Sequence, residues 1–108
     1  MLNLFKNKPA VSLKEIFEKT QNKNVVFIDV RTKPEYASLH AKGAESIPLN
    51  TINDDVISKL KKYDEVYVIC QSGGRSAAAT SLFVANGVKA INVEGGTTAW
   101  HREGLPTV

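Results

Sequence analysis

Apolar residues in this chain fall into short blocks separated by polar and glycine-containing breaks, and the blocks alternate between two periods. Val25 to Val30 is a continuous, β-branched run interrupted only by Asp29, the pattern of a strand buried on both faces. Glu65 to Cys70 repeats it. Lys89 to Val93 reads as a shorter strand, and Ile47 centres another between Gly43 and Pro48. Helical signals lie between these blocks. Ser12 and Glu15 form a capping box, with Val11 and Ile16 spaced as a hydrophobic staple, and predict a helix to Thr20. Thr32 and Glu35 form a second box with Pro34 in its first turn. Val56, Ile57 and Leu60 share one face of a helix between Asn53 and Lys62. Ser76 to Asn86 is a small-residue helix that Gly87 stops. Gly95 and Gly96 lead into a last helix around Trp100, closed by Gly104 and Pro106.

Strands that alternate with helices predict an α/β domain. Its sheet is mostly parallel, with four to five strands and helices on both faces. The whole of residues 1–108 is expected to form one domain, with its core between about residues 11 and 107. Ligands of such sheets sit beyond the carboxyl ends of the strands. Cys70 stands at one of those ends.

Composition narrows the chemistry. Hydrophobic residues make up 43% of the 108 and charged residues 23%, which suits one folded core. The formal charge of +3 is spread along the chain without a basic stripe, so a small anionic substrate fits better than nucleic acid. A single cysteine excludes an internal disulfide and a thiolate zinc site, and with His40 and His101 the only histidines no metal or other cofactor is expected. No apolar run reaches the length of a membrane span, and the opening residues lack the apolar centre of a secretory leader. A cytoplasmic location is the expectation.

The turn after Cys70 carries the candidate chemistry. Gln71, Ser72, Gly73, Gly74 and Arg75 join it to the helix beginning near Ser76. A thiol ionises more easily at a helix N-terminus or beside a cation, and the thiolate is the reactive form. Gly73 and Gly74 allow backbone angles with which successive N–H groups can converge on one anion. A buried strand-end cysteine before an ordinary glycine turn is the alternative reading of the same residues.

With its further landmarks the chain resembles the rhodanese-like sulfurtransferase family from about Val11 to Thr107. The landmarks are Ile28 to Arg31, Pro34 to Tyr36, His40 to Ala44, Cys70 to Ser76, Gly95 and Gly96 with Ala99 and Trp100, and Gly104 to Pro106. Ala41 stands where a larger aliphatic residue is usual and Ser46 where asparagine is usual. The resemblance implies a three-layer rhodanese-like fold. It also implies a persulfide mechanism in which Cys70 takes sulfur from thiosulfate or a similar donor and passes it to a thiophilic acceptor, a thiol or cyanide. Amides from Gln71 to Ser76 would stabilise the terminal sulfur, and Arg75 would bind the donor's sulfonate. Relatives acting on mercaptopyruvate typically carry a Cys-Gly-Ser-Gly turn without this arginine, which favours thiosulfate here.

Other functions are weighed against this one. Phosphatases and arsenate reductases of related fold need five residues between cysteine and arginine, whereas four separate Cys70 from Arg75. A persulfide relay or redox-sensing module with a specific protein acceptor would use the same cysteine. Asp29 reads as a structural carboxylate bonding nearby N–H groups. Arg31 and Glu35, four apart, are expected to pair. His40 belongs to the scaffold, His101 to the surface, Trp100 to the packing under the last helix, and Glu94 to the rim of the site.

Overall fold

The structure is a computed structural model that describes residues 11–108, so the opening residues read for a leader lie outside it. Three helices start where a side chain accepts from a free N–H group, and two start at a left-handed glycine. Ser12 caps α1 (Leu13–Lys19) by accepting from the Glu15 N–H at 3.1 Å. Thr32 and Glu35 close a reciprocal capping box on α2 (Lys33–Ser38). Asn53 caps α3 (Asp54–Leu60), accepting from the Val56 N–H.

Four strands, β1 (Val25–Asp29), β2 (Glu45–Ser46), β3 (Glu65–Ile69) and β4 (Ala90–Asn92), form one all-parallel sheet in the order β2-β1-β3-β4. This is the α/β sheet expected from the alternation. The strand expected around Ile47 is shorter and earlier. Ile47 and Leu49 nevertheless keep donating to Asp29 and Val30 of the neighbouring strand, until Pro48 and a 3₁₀ turn (Leu49–Thr51) bend the chain away.

Side-chain alternation divides the core. Val26, Ile28, Val30, Val66, Val68 and Cys70 face α3 and α4 (Gly74–Ala85), packing on Ile57, Leu60, Ala79 and Phe83. Phe27, Tyr67 and Ile69 face α1 and α5 (Gly96–Arg102), around a fully buried Trp100. The Trp100 ring meets Phe27 and Phe17 at centroid distances of 5.2 and 5.9 Å, and its indole N–H donates to the Pro106 carbonyl. Ala41, the small residue in an aliphatic position, is completely buried and bridges Thr107. No helix among the described residues is long and apolar enough to cross a membrane.

The helix expected from Ser76 begins two residues earlier, at Gly74. Gly73 alone takes a left-handed conformation, with φ of 111°, and serves as the N-cap. Gly74 and Arg75 are already helical. Only the first glycine of the pair therefore uses the freedom expected of both.

Candidate active site

Strand alternation aims the Cys70 side chain at the start of α4. Its Sγ accepts from the Gly73 N–H at 3.1 Å and from the Ser76 hydroxyl at 3.2 Å. Burial opposes ionisation of the thiol. Hydrogen bonds from the Ser76 hydroxyl and from the backbone N–H groups of Ser76, Gly73 and Ser72 outweigh it, and the pKa falls below that of an ordinary cysteine. Cys70 is 1% exposed, so these donors act where water screens little.

The second helix behind the turn explains why its amides face the sulfur. The Thr97 N–H and hydroxyl both donate to the Cys70 carbonyl, at 2.8 and 2.9 Å, and the Thr98 N–H donates to the Gln71 carbonyl at 3.1 Å. In a trans peptide the N–H points opposite the C=O. No cis bond occurs among the described residues. Tying the Cys70 and Gln71 carbonyls to α5 therefore turns the N–H groups of Gln71 and Ser72 away from α5, to the Cys70 side of the turn. The approach is close enough to require glycine. A Cβ on Gly96, where φ is 59°, would lie 2.5 Å from the Gln71 oxygen and 2.6 Å from the Cys70 oxygen.

The charged residues pair differently from the spacing argument. Arg31 does not meet Glu35, because it precedes the α2 cap and the helical i, i+4 geometry does not include it. Its guanidinium grips the Asp29 carboxylate at 2.9 to 3.1 Å and donates to the Leu39 carbonyl and to Gln71 Oε1. Asp29 also accepts from the Arg31 N–H, the structural part expected of it. Gln71 is held at both ends, since its Nε2 donates to Thr98. Its side chain thus serves the scaffold.

Glu35 instead makes a two-point contact with Arg75, at 2.8 and 2.9 Å, and its carboxyl pKa falls to about 2, chiefly through that contact and the Thr32 N–H. The Arg75 guanidinium is raised in turn, first by Glu35 and in smaller part by the Cys70 charge. The groups that activate the thiol are therefore hydrogen-bond donors at contact distance, with Arg75 a more distant contributor. His40 stacks on Tyr36 and bonds its carbonyl, as a scaffold residue should, and His101 is exposed. Glu94 is exposed, and its backbone passes beside Gly73.

The sequence does not single out Thr97 and Thr98, and it marks Gly96 and Glu35 only as a turn residue and as a helix cap paired with Arg31, not as parts of the site. The signal for Gly96, Thr97 and Thr98 was present: a second glycine pair, here with both φ values positive, followed by two threonines at a helix start.

A parallel α/β sheet here carries one hydrogen-bonded thiol of lowered pKa at its carboxyl edge, between two helix starts. Residues 12–103 match the rhodanese-like domain family, and the chain belongs to that family of sulfurtransferases. It is 36% identical over 93 residues to thiosulfate sulfurtransferase 16 of Arabidopsis thaliana, covering 75% of this chain and 78% of that protein. It is 34% identical over 94 residues to the putative sulfur carrier protein YrkF of Bacillus subtilis, covering 85% of this chain and 50% of YrkF. The chain thus spans about half the length of some curated relatives; for one from Synechocystis the share is 55%. A rhodanese-related protein from Thermoplasma volcanium superposes with a TM-score of 0.77 at 27% identity, over 88% of this chain and 92% of that one.

Proposed function

We propose that the protein moves sulfane sulfur from thiosulfate to a thiophilic acceptor through a persulfide on Cys70. The observation that carries this reading is the convergence of the Gly73 N–H and the Ser76 hydroxyl on Cys70 Sγ. Donors placed for a thiolate also suit the terminal sulfur of a persulfide, whose charge lies one bond farther out.

In the first half-reaction the thiolate attacks the outer sulfur of thiosulfate. A Cys70–sulfur bond forms, the sulfur–sulfur bond of the donor breaks, and its electron pair leaves on sulfite. No external oxidant or reductant is needed. Arg75 would steady the sulfonate with the N–H groups that Glu35 leaves free. The name of the Arabidopsis relative supports thiosulfate as donor, and the four-residue spacing between Cys70 and Arg75 disfavours phosphate. The similarity to YrkF favours one second reading, a relay to a protein acceptor, which shares the first half-reaction.

Intact-mass measurement tests the proposal. Thiosulfate should add one sulfur atom to the protein, cyanide should remove it as thiocyanate, and Cys70→Ser should do neither. Thiocyanate production by Cys70→Ser at the wild-type rate would refute it.

A further inference from the structure

The Ser76 hydroxyl has two acceptors within reach and one proton to give. Its oxygen lies 3.2 Å from Cys70 Sγ and 3.2 Å from the Gly73 carbonyl oxygen, and the residue is completely buried. A serine hydroxyl donates a single hydrogen bond, so the two contacts compete for it. The share that reaches the sulfur therefore depends on how well the competing carbonyl is satisfied from elsewhere.

That carbonyl is satisfied twice. The Ala77 N–H donates to it at 3.0 Å within the first turn of α4, and Asn92 Nδ2 donates to it at 3.3 Å from β4. A carbonyl oxygen has two lone pairs, and these two donors fill them. Asn92 reaches the turn through strand register. It pairs with Val68 in the parallel ladder, two residues before Cys70. Ala90 packs with Val66 and Val68 on the face toward α4, and alternation puts Asn92 on that face too. An amide buried on an apolar face costs free energy unless it is hydrogen-bonded. Its Oδ1 is buried and meets no donor among the described residues, so its one polar contact is the Gly73 carbonyl. Turning the amide over would set Oδ1 against the Gly73 oxygen, two acceptors face to face, so Nδ2 is the end that points at the turn.

We infer that Asn92 is a positioning residue of the sulfur site: by filling the Gly73 carbonyl, it directs the one proton of the Ser76 hydroxyl to Cys70 Sγ. The inference deepens the persulfide reading above and rests on it for its bearing on sulfur transfer. Asn92 makes no hydrogen bond to the sulfur and acts through Ser76. With the amide gone, the Gly73 carbonyl regains a lone pair and draws the hydroxyl to itself. Burial already opposes ionisation of the sulfur, and the hydroxyl is the foremost group that favours it. The charged pairs near the turn, Arg75 with Glu35 and Arg31 with Asp29, are not altered by any substitution at Asn92 or Ser76.

The test follows alkylation by iodoacetamide, a neutral reagent, across pH in the wild type, Asn92→Leu, Ser76→Ala and the double variant. Leucine has nearly the shape of asparagine and removes the buried unpaired oxygen, so Asn92→Leu should keep the fold; if it does not, Asn92→Ala carries the same expectation. At the pH where the wild type reacts at half its maximal rate, Asn92→Leu should react about two- to fivefold more slowly, the effect of weakening one hydrogen bond to the sulfur. In the Ser76→Ala background the same substitution should change nothing, because the proton that it redirects is absent. A residue that only shaped the turn would slow both backgrounds alike. Two results would overturn the inference: a wild-type profile for Asn92→Leu, or equal slowing with and without the hydroxyl. Sulfur loading of the wild type by thiosulfate is read separately by intact mass. Its failure would refute the persulfide reading and leave the alkylation comparison standing.

Discussion

Thr97 donates twice to one atom, the carbonyl oxygen of Cys70, from a position 27 residues further along the chain. This contact joins the start of α5 to the end of β3 and sets the orientation of the peptide that follows the sulfur. Thr97→Val keeps the shape and the backbone bond but removes the hydroxyl. It should destabilise the domain by about 1–2 kcal/mol, the cost of a lost buried hydrogen bond. Thermal unfolding would show this as a lower midpoint, and sulfur loading by thiosulfate should slow in the folded variant. An unchanged midpoint and loading rate would mean that the backbone bond suffices.

Ser76→Ala tests the activation of the thiol. Burial raises the Cys70 pKa and the Ser76 hydroxyl is the foremost group lowering it, so removing the hydroxyl moves the pKa upward. Alkylation by a neutral reagent should then need higher pH to reach half its maximal rate. The wild type should reach that point below the pH of an ordinary cysteine. Coincident profiles for the two proteins would assign the activation to the backbone amides alone.

The glycines should separate cleanly. Gly74 is helical with open space where a Cβ would stand, so Gly74→Ala should be neutral or stabilising by about 0.4–1 kcal/mol. Gly96→Ala would drive a Cβ into the Cys70 and Gln71 carbonyls at positive φ, and should cost about 2–4 kcal/mol. Urea unfolding of the two variants compares them directly, and equal midpoints would show that α5 can withdraw from the turn at little cost.

Arg75→Ala should weaken the use of thiosulfate by about 10- to 150-fold, from the roughly 1.5–3 kcal/mol of a charged hydrogen bond. Part of that loss reflects Glu35, left without its cation at the start of α4. Adding Glu35→Gln to Arg75→Ala should therefore recover some activity. Arg75→Lys should recover only part, because an ammonium cannot make the two-point contact. Steady-state kinetics with cyanide as acceptor measures all three.

The Glu35–Arg75 pair also has a pH signature. The Glu35 carboxyl falls from 4.5 to about 2 on folding, so between these values the unfolded chain binds more protons than the native one. Stability from the pair is present above pH 4.5 and is lost as pH falls toward 2. The two side chains are 33% and 39% exposed, so the contribution should not exceed about 1 kcal/mol. Urea midpoints at pH 6 and pH 3 should differ less for Glu35→Gln than for the wild type, allowing about that margin.

Much of the fold was legible because its strands are buried on both faces. Val26 to Val30 and Val66 to Cys70 are buried at every position, with nothing solvent-facing to blur the pattern, and their order along the chain implied the sheet. The cysteine turn was legible because its signals are local: a lone cysteine, two glycines, an arginine and a helix start. What escaped were contacts closed by the tertiary fold. Arg31 and Glu35 have a helical spacing, but Thr32 starts the helix between them, and each finds a partner elsewhere: Asp29 for Arg31, and Arg75, 40 residues away, for Glu35. The early start of α4 escaped for a simpler reason. Two adjacent glycines look alike in sequence, and the folded backbone distinguishes them: Gly73 takes a φ of 111° beside Gly95, whereas Gly74 is helical.

The tie between α5 and the turn gives the thiol a dependence on parts of the chain that never touch it. While α5 is undocked, the Cys70 and Gln71 carbonyls are free to rotate, and the N–H groups that gather around the sulfur scatter with them. A chain opened at α5 keeps the Gly73 and Ser76 donors of α4 but loses the fixed orientation of the Ser72 N–H, so its cysteine should react more slowly with electrophiles. Docking of α5 completes the set of donors around the sulfur, so reactivity at Cys70 should report the arrival of residues 96–102 at their final place.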